Sequence, residues 1–158
     1  MKQEIITFLT AAAPILEVRG AIPLAMGVFQ FSPLKAYTIS VLGNIFLIMP
    51  FLFVLQRFSE YLMHKWYHYN RLMTWVLERA QRKHMDHFHE KKWVEVALFL
   101  FVAVPLPMTG AWSGAVAAYI LGVPFWRAIG VIFAGILAAG GIVTALVSLG
   151  FMATKSIF

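Results

Sequence analysis

The 158-residue sequence contains no cysteine, which excludes a disulfide framework and any thiolate metal site. Charge is also scarce. Asp, Glu, Lys and Arg together make up 13% of the chain, where a soluble domain carries about a quarter. What fills the space is apolar: hydrophobic residues reach 61% and the mean hydropathy is +0.77. A soluble core of this size cannot hide so much apolar side chain, so most of it faces lipid. The net charge of +6 is not a nucleic-acid signal, because eight of the 13 Lys and Arg (Arg57, Lys65, Arg71, Arg79, Arg82, Lys83, Lys91, Lys92) fall in one central stretch. That clustering is the signature of the positive-inside rule and assigns residues 57–93 to the cytoplasm. The opening MKQEIITFLT has neither a basic n-region nor a small-residue cleavage site and is expected to stay in the mature protein. The chain reads as an integral membrane protein of a prokaryotic plasma (inner) membrane, with residues 1–158 forming one membrane domain.

Two segments are long enough to span. Residues 35–56 number 22, roughly 33 Å at the helical rise. Residues 128–152 number 25 and span with some tilt. Two further apolar stretches are broken: 5–13 by the segment 14–20, and 94–104 by the segment 105–110. Each arm is about ten residues, roughly 15 Å or half a bilayer. Breaks built from Pro14, Gly20 and Pro23, and from Pro105, Pro107 and Gly110, free backbone groups that lipid cannot satisfy. They are stable only when buried in protein or lining a cavity.

The breaks recur. Pro14 to Pro33 and Pro105 to Pro124 are both intervals of 19 positions. Gly20-Ala21 matches Gly110-Ala111, and the following spans carry Gly43 and Gly135 near their centres. The expected fold is therefore all-α: two repeats (1–56 and 94–158), each a broken helix hairpin followed by a transmembrane helix, joined by the segment 57–93. If the hairpins are re-entrant, one span separates them and the repeats are inverted, with both tips near the midplane. The alternative treats each hairpin as one kinked span, four in all, and positive-inside fits both.

The central segment differs in kind. Over 58–80, Phe58, Leu62, Tyr69, Leu72, Met73, Val76 and Ala80 fall on one helical face. Glu60, His64, Tyr67, Arg71, Thr74 and Glu78 fall on the opposite one. Such a helix, rich in Trp and Tyr, lies in the interface against the anionic cytoplasmic leaflet. Glu78 and Arg82 are spaced to pair. Five histidines (His64, His68, His84, His87, His89) follow metal-like spacings without a supporting carboxylate set, and read as interfacial.

Glu17 and Arg19 carry the chemistry. An isolated ionisable group at membrane depth costs about 2.5–3.5 kcal/mol on insertion scales, so two in one break imply purpose or pairing. In an extended break, positions i and i+2 point the same way, so both heads enter one cavity. Glu17 is then a proton carrier and Arg19 an anion contact; the bland reading is a Glu–Arg pair that holds the loop. The second break offers Thr109, Trp112 and Ser113 and no charge. Thr109 is equally an ordinary N-cap, and Trp112 equally a packing residue. Glycines 130, 135, 140, 141 and 150 permit close helix approach along the last span.

LEVRGAIPL (16–24) and VPLPMTGAWSG (104–114), together with the repeat layout, resemble the small multidrug export protein family, and more distantly the DedA (VTT) family of lipid-handling membrane proteins. The first resemblance covers nearly the whole chain; the second is architectural. Together they imply a transporter driven by the proton-motive force. The DedA likeness implies a lipid phosphate cargo and functional roles for an intramembrane acid and arginine, carried here by Glu17 and Arg19 alone. Met108-Thr109 stand where a second DedA-like arginine would be.

The reading is a proton-coupled secondary transporter with a midplane site made of Glu17, Arg19, Thr109, Trp112 and Ser113. Its cargo is a lipid phosphate or a small amphipathic compound, and it needs no cofactor or metal. Its partners are membrane lipids, protons as coupling ion and a second copy in a homodimer. The alternative is a non-transporting scaffold or lipid sensor acting through the amphipathic helix. No nucleophile–base pair supports an enzyme.

Overall fold

The computed structural model describes residues 1–65, 91–106 and 109–157. Among them six helices and no strand are found: α1 (Lys2–Ala12), α2 (Glu17–Gly27), α3 (Pro33–Lys65), α4 (Lys91–Ala103), α5 (Ala111–Ile120) and α6 (Phe125–Ile157). Pro33 opens α3, and Pro124 precedes α6. Proline suits a helix start, because the amide it lacks would have no partner there. Within these long helices, Pro33–Arg57 and Phe125–Ala153 are long and apolar enough to cross a membrane.

Two boundaries differ from the sequence reading. α3 continues past residue 56 to Lys65, because nothing in 57–65 breaks a helix: polar and basic side chains change what the surface faces without ending the backbone ladder. α4 starts at Lys91, three residues early, for the same reason. The two-faced helix expected over 58–80, the Glu78–Arg82 pair and the histidines from His68 onward lie largely or wholly outside the described residues, as does Pro107.

α1 runs alongside α3 in the same direction. Near their starts Lys35 is ion-paired with Glu4. Farther along, the Phe8 carbonyl lies against Gly43, and the Phe8 ring sits 5.6 Å from that of Phe46. α2 packs on α1 and α3. The turn after it brings Phe31 under the Lys35 ammonium, 4.4 Å from ring to nitrogen. So α1 and α2 form a hairpin with both outer ends beside the start of α3.

The second half repeats this. Arg127 at the start of α6 donates to Glu95 in α4 at 3.3 Å, and Val102 packs against Gly135. The long helices are antiparallel. Tyr37 donates to the Leu137 carbonyl at 3.2 Å, whereas Phe53 meets Phe125 and Gln56 donates to Val123 at 3.3 Å. α2 crosses to pack on α6, and α5 crosses to pack on α3, so the packing pattern is unchanged when the halves are exchanged. Val18, Ile22, Leu52, Leu98, Val102 and Ile132 fill the core between them. Leu42, Phe46, Phe53, Leu146 and Leu149 point outward, as lipid-facing side chains would.

Candidate functional site

The two breaks lie side by side. The first is the turn 13–16; the second runs from Val104 to Gly110. Each lies near the middle of its neighbouring long helix, since Phe8 marks Gly43 in α3 and Val102 marks Gly135 in α6.

Glu17 and Arg19 do not lie in an extended strand. The turn ends at Leu16, and both residues sit on the first turn of α2. Glu17 has φ of 48°, a left-handed conformation that costs a non-glycine residue about 1–2 kcal/mol. The cost is offset across the molecule. The carboxylate accepts hydrogen bonds from the amides of Ala111 (3.3 Å) and Trp112 (3.2 Å), the first two residues of α5. It therefore caps another helix, where amides lack intrahelical partners and the dipole favours negative charge.

Arg19 does the converse at the C-terminal end of α4. Its Nη1 donates to the carbonyls of Leu106 and Thr109. Its Nη2 donates to Val104 (3.1 Å) and Val102 (3.4 Å). Four carbonyls freed by the break at Pro105 thus converge on one guanidinium, a fork of fixed donors suited to them. The two charges are neither a mutual ion pair nor a bare site. Each holds one side of the opposite break.

Gly110 makes this possible. A Cβ there would fall on both Glu17 carboxylate oxygens. Thr109 is not the N-cap of α5: Gly110 holds that position without a side-chain bond. The Thr109 hydroxyl turns back to Val104 (3.0 Å) and Leu106 (2.9 Å). Ser113 donates to the Gly110 carbonyl at 3.3 Å. The Trp112 ring packs on Phe51 at 4.4 Å, and its Nε1 is buried with no hydrogen-bond partner among the described residues.

A cavity of about 480 Å³ opens between the breaks, lined by Pro14, Ile15, Glu17, Arg19, Pro105, Leu106, Thr109, Trp112 and Ser113. The structure thus brings all five sequence-derived site residues to one cavity, with Pro14 and Pro105. Gly20 packs inside α2 against Leu16, and Pro23 lies within α2, away from the lining. The chemistry on offer is an apolar slot and a carboxylate on a helix N-terminus. Sequence reasoning missed Phe51, since an aromatic in a spanning segment carries no mark of what it stacks on. It also missed the buried polar residues Thr7, Ser40 and Asn44; a lone Asn in an apolar span was the available signal.

No curated protein and no solved structure matches the chain. Residues 17–142, about four fifths of it and including Glu17, Arg19 and the second break, match the family described as "Putative small multi-drug export protein", and the chain belongs to that family.

Proposed function

We propose that the protein is a proton-coupled membrane exporter whose cargo occupies the cavity between the two breaks. The observation that carries the reading is the cavity itself, with one wall from each half and the carboxylate of Glu17 in its lining. A slot of this volume with few polar groups suits a small amphipathic molecule. A lipid phosphate fits less well, because both terminal nitrogens of the Arg19 guanidinium are engaged by four carbonyls and its Nε is buried.

The halves are inverted repeats and the hairpins re-entrant in this reading. Three features support it: each hairpin has its outer ends beside the start of its own long helix, the long helices are antiparallel, and the breaks sit near mid-span. Such paired broken helices are where secondary transporters place their sites.

Coupling follows from what the Glu17 carboxylate does. A proton on one oxygen removes an acceptor from the Ala111 or Trp112 amide, loosens the start of α5 and changes the cavity wall. Protonation and opening are then one event. Everted membrane vesicles with an imposed pH gradient test this with a small amphipathic dye as cargo. Glu17→Gln, which cannot carry the proton, is expected to abolish gradient-driven efflux while the protein still inserts. Wild-type efflux from that variant overturns the reading.

A further inference from the structure

Four polar or charged residues are fully or almost fully buried among the described residues: Thr7, Glu17, Ser40 and Asn44, exposed by 0%, 6%, 0% and 0%. All four belong to the first half. The second half has the same packing, and its matching positions can be read off. The Phe8 carbonyl lies against Gly43 and the Phe99 carbonyl against Gly135, and the breaks align Pro14 with Pro105. In that register Thr7 corresponds to Leu98, Ser40 to Ile132 and Asn44 to Ile136. These are three aliphatic side chains exposed by 2%, 1% and 1%. One half is polar inside at the positions where the other is dry.

The polar positions lie in order. Asn44 follows the Gly43 contact, level with Thr7 on α1, and Ser40 lies one turn nearer the start of α3. Beyond Ser40, at the helix starts, is the Glu4–Lys35 ion pair. In the other direction α1 runs from Phe8 to the break before Glu17 in about five residues, roughly 7 Å along its axis. Pro23 has no amide hydrogen, so the Arg19 carbonyl, four residues back in α2, loses its helical donor.

Both polar atoms of the Asn44 amide and the Ser40 hydroxyl have no hydrogen-bond partner among the described residues, although no solvent reaches them in this conformation; the Thr7 hydroxyl donates to the Gln3 carbonyl at 2.9 Å and keeps its lone pairs to accept. Such orphans in an interior cost free energy unless something satisfies them. The missing partner must both donate and accept, since the amide offers donors and an acceptor together. A cation satisfies only the oxygens. Water satisfies all of them and needs two to four polar partners.

We propose that Thr7, Ser40 and Asn44 hold water that gives Glu17 proton access from one side only, the end at which α1 and α3 begin. Leu98, Ile132 and Ile136 keep the other half closed to water. A proton from the aqueous phase passes along the waters, each accepting one and releasing one, and ends as an O–H on the Glu17 carboxylate. The Arg19 guanidinium is the charged group beside that carboxylate and the α5 amides donate to it; no other titratable side chain lines the cavity among the described residues.

The inference rests on the reading of Glu17 as proton carrier, and the test keeps the two apart. The chain has no cysteine, so single replacements report water directly. Asn44→Cys in reconstituted vesicles is expected to react with a water-soluble methanethiosulfonate from the α1 side, and Ile136→Cys from neither side. Asn44→Leu is expected to slow gradient-driven dye efflux by about a factor of ten, equivalent to roughly 1.4 kcal/mol on the barrier. Its melting temperature in detergent should not fall, since a buried side chain that needs water for its hydrogen bonds is replaced by one that needs none, and Asn44→Gln should recover most of the rate. An unreactive Asn44→Cys, or an Asn44→Leu with wild-type efflux, overturns the access path even where Glu17→Gln is inactive. Wild-type efflux in Glu17→Gln beside a reactive Asn44→Cys instead removes Glu17 as the acceptor of that water.

Discussion

At the scale of single residues, the two charges do the work of capping groups on helices they do not belong to. Glu17 sits at the positive end of α5 and Arg19 at the negative end of α4. A helix broken in mid-membrane leaves amides and carbonyls that water would otherwise satisfy. The first break supplies both counterparts for the second. The arrangement depends on Gly110, whose missing side chain is the space the carboxylate occupies. Gly110→Ala is expected to displace the carboxylate from α5 and to destabilise the protein by about 1–2 kcal/mol, the scale of a lost N-cap. Because Glu17→Gln weakens the same contact by removing the charge and one acceptor oxygen, the double variant should melt close to the worse single one. Additive losses in a thermal melt would mean that Gly110 matters for some other reason. That these two residues need partners was legible in the sequence from their position alone, charges beside a proline in an apolar segment. Their partners were not, because a hydrogen bond between residues 17 and 112 depends on how the halves dock, which no local pattern encodes.

At the scale of elements, glycines separate helices that touch from helices that face outward. Gly43 lets α1 lie on α3 with backbone against side-chain-free backbone, since a Cβ would strike the Phe8 carbonyl. Gly135 admits Val102, whose Cβ would be 2.7 Å from an added methyl. Gly141 has no neighbour within 4 Å. Gly43→Ala is therefore expected to cost about 1–3 kcal/mol by overpacking. Gly141→Ala should gain about 0.5–1 kcal/mol from helix propensity alone. Opposite signs in detergent melting curves confirm the distinction, and equal signs refute it. The positions of the breaks and of the long helix starts were readable from proline, because its missing amide ends a helix or opens one wherever it occurs. Which of the glycines in the last span make contact was not readable: Gly140 meets Tyr37 while Gly130 and Gly141 meet nothing, and spacing alone ranks them alike. The ends of α3 and α4 were missed for a related reason, since a change from apolar to charged sequence marks a change of surroundings rather than a helix end.

At the scale of the whole molecule, the geometry fixes which ends lie together. The start of α6 and the residues around Gln56 in α3 share one end, joined by the Gln56–Val123 and Phe53–Phe125 contacts. The starts of α1 and α3 share the other with the far part of α6, where Phe151 approaches Gly27. The basic stretch 57–92 continues in sequence from the first end, and we propose from the positive-inside rule that this end faces the cytoplasm. Kinked spans would carry each hairpin through the bilayer. Hairpins that return to their own end leave only α3 and α6 to cross, so the turns before these two helices must open to opposite faces. Val28, before α3, and Trp126, at the start of α6, are exposed by 67% and 79% and suit the measurement. In intact cells, Trp126→Cys should be shielded from a membrane-impermeant maleimide and Val28→Cys should be labelled, with the pattern reversed in everted vesicles. Labelling of both from one side would return the chain to four kinked spans. It would also remove the one-sided path to Glu17, because the polar positions of α3 and the dry positions of α6 would then no longer belong to opposite halves of the bilayer.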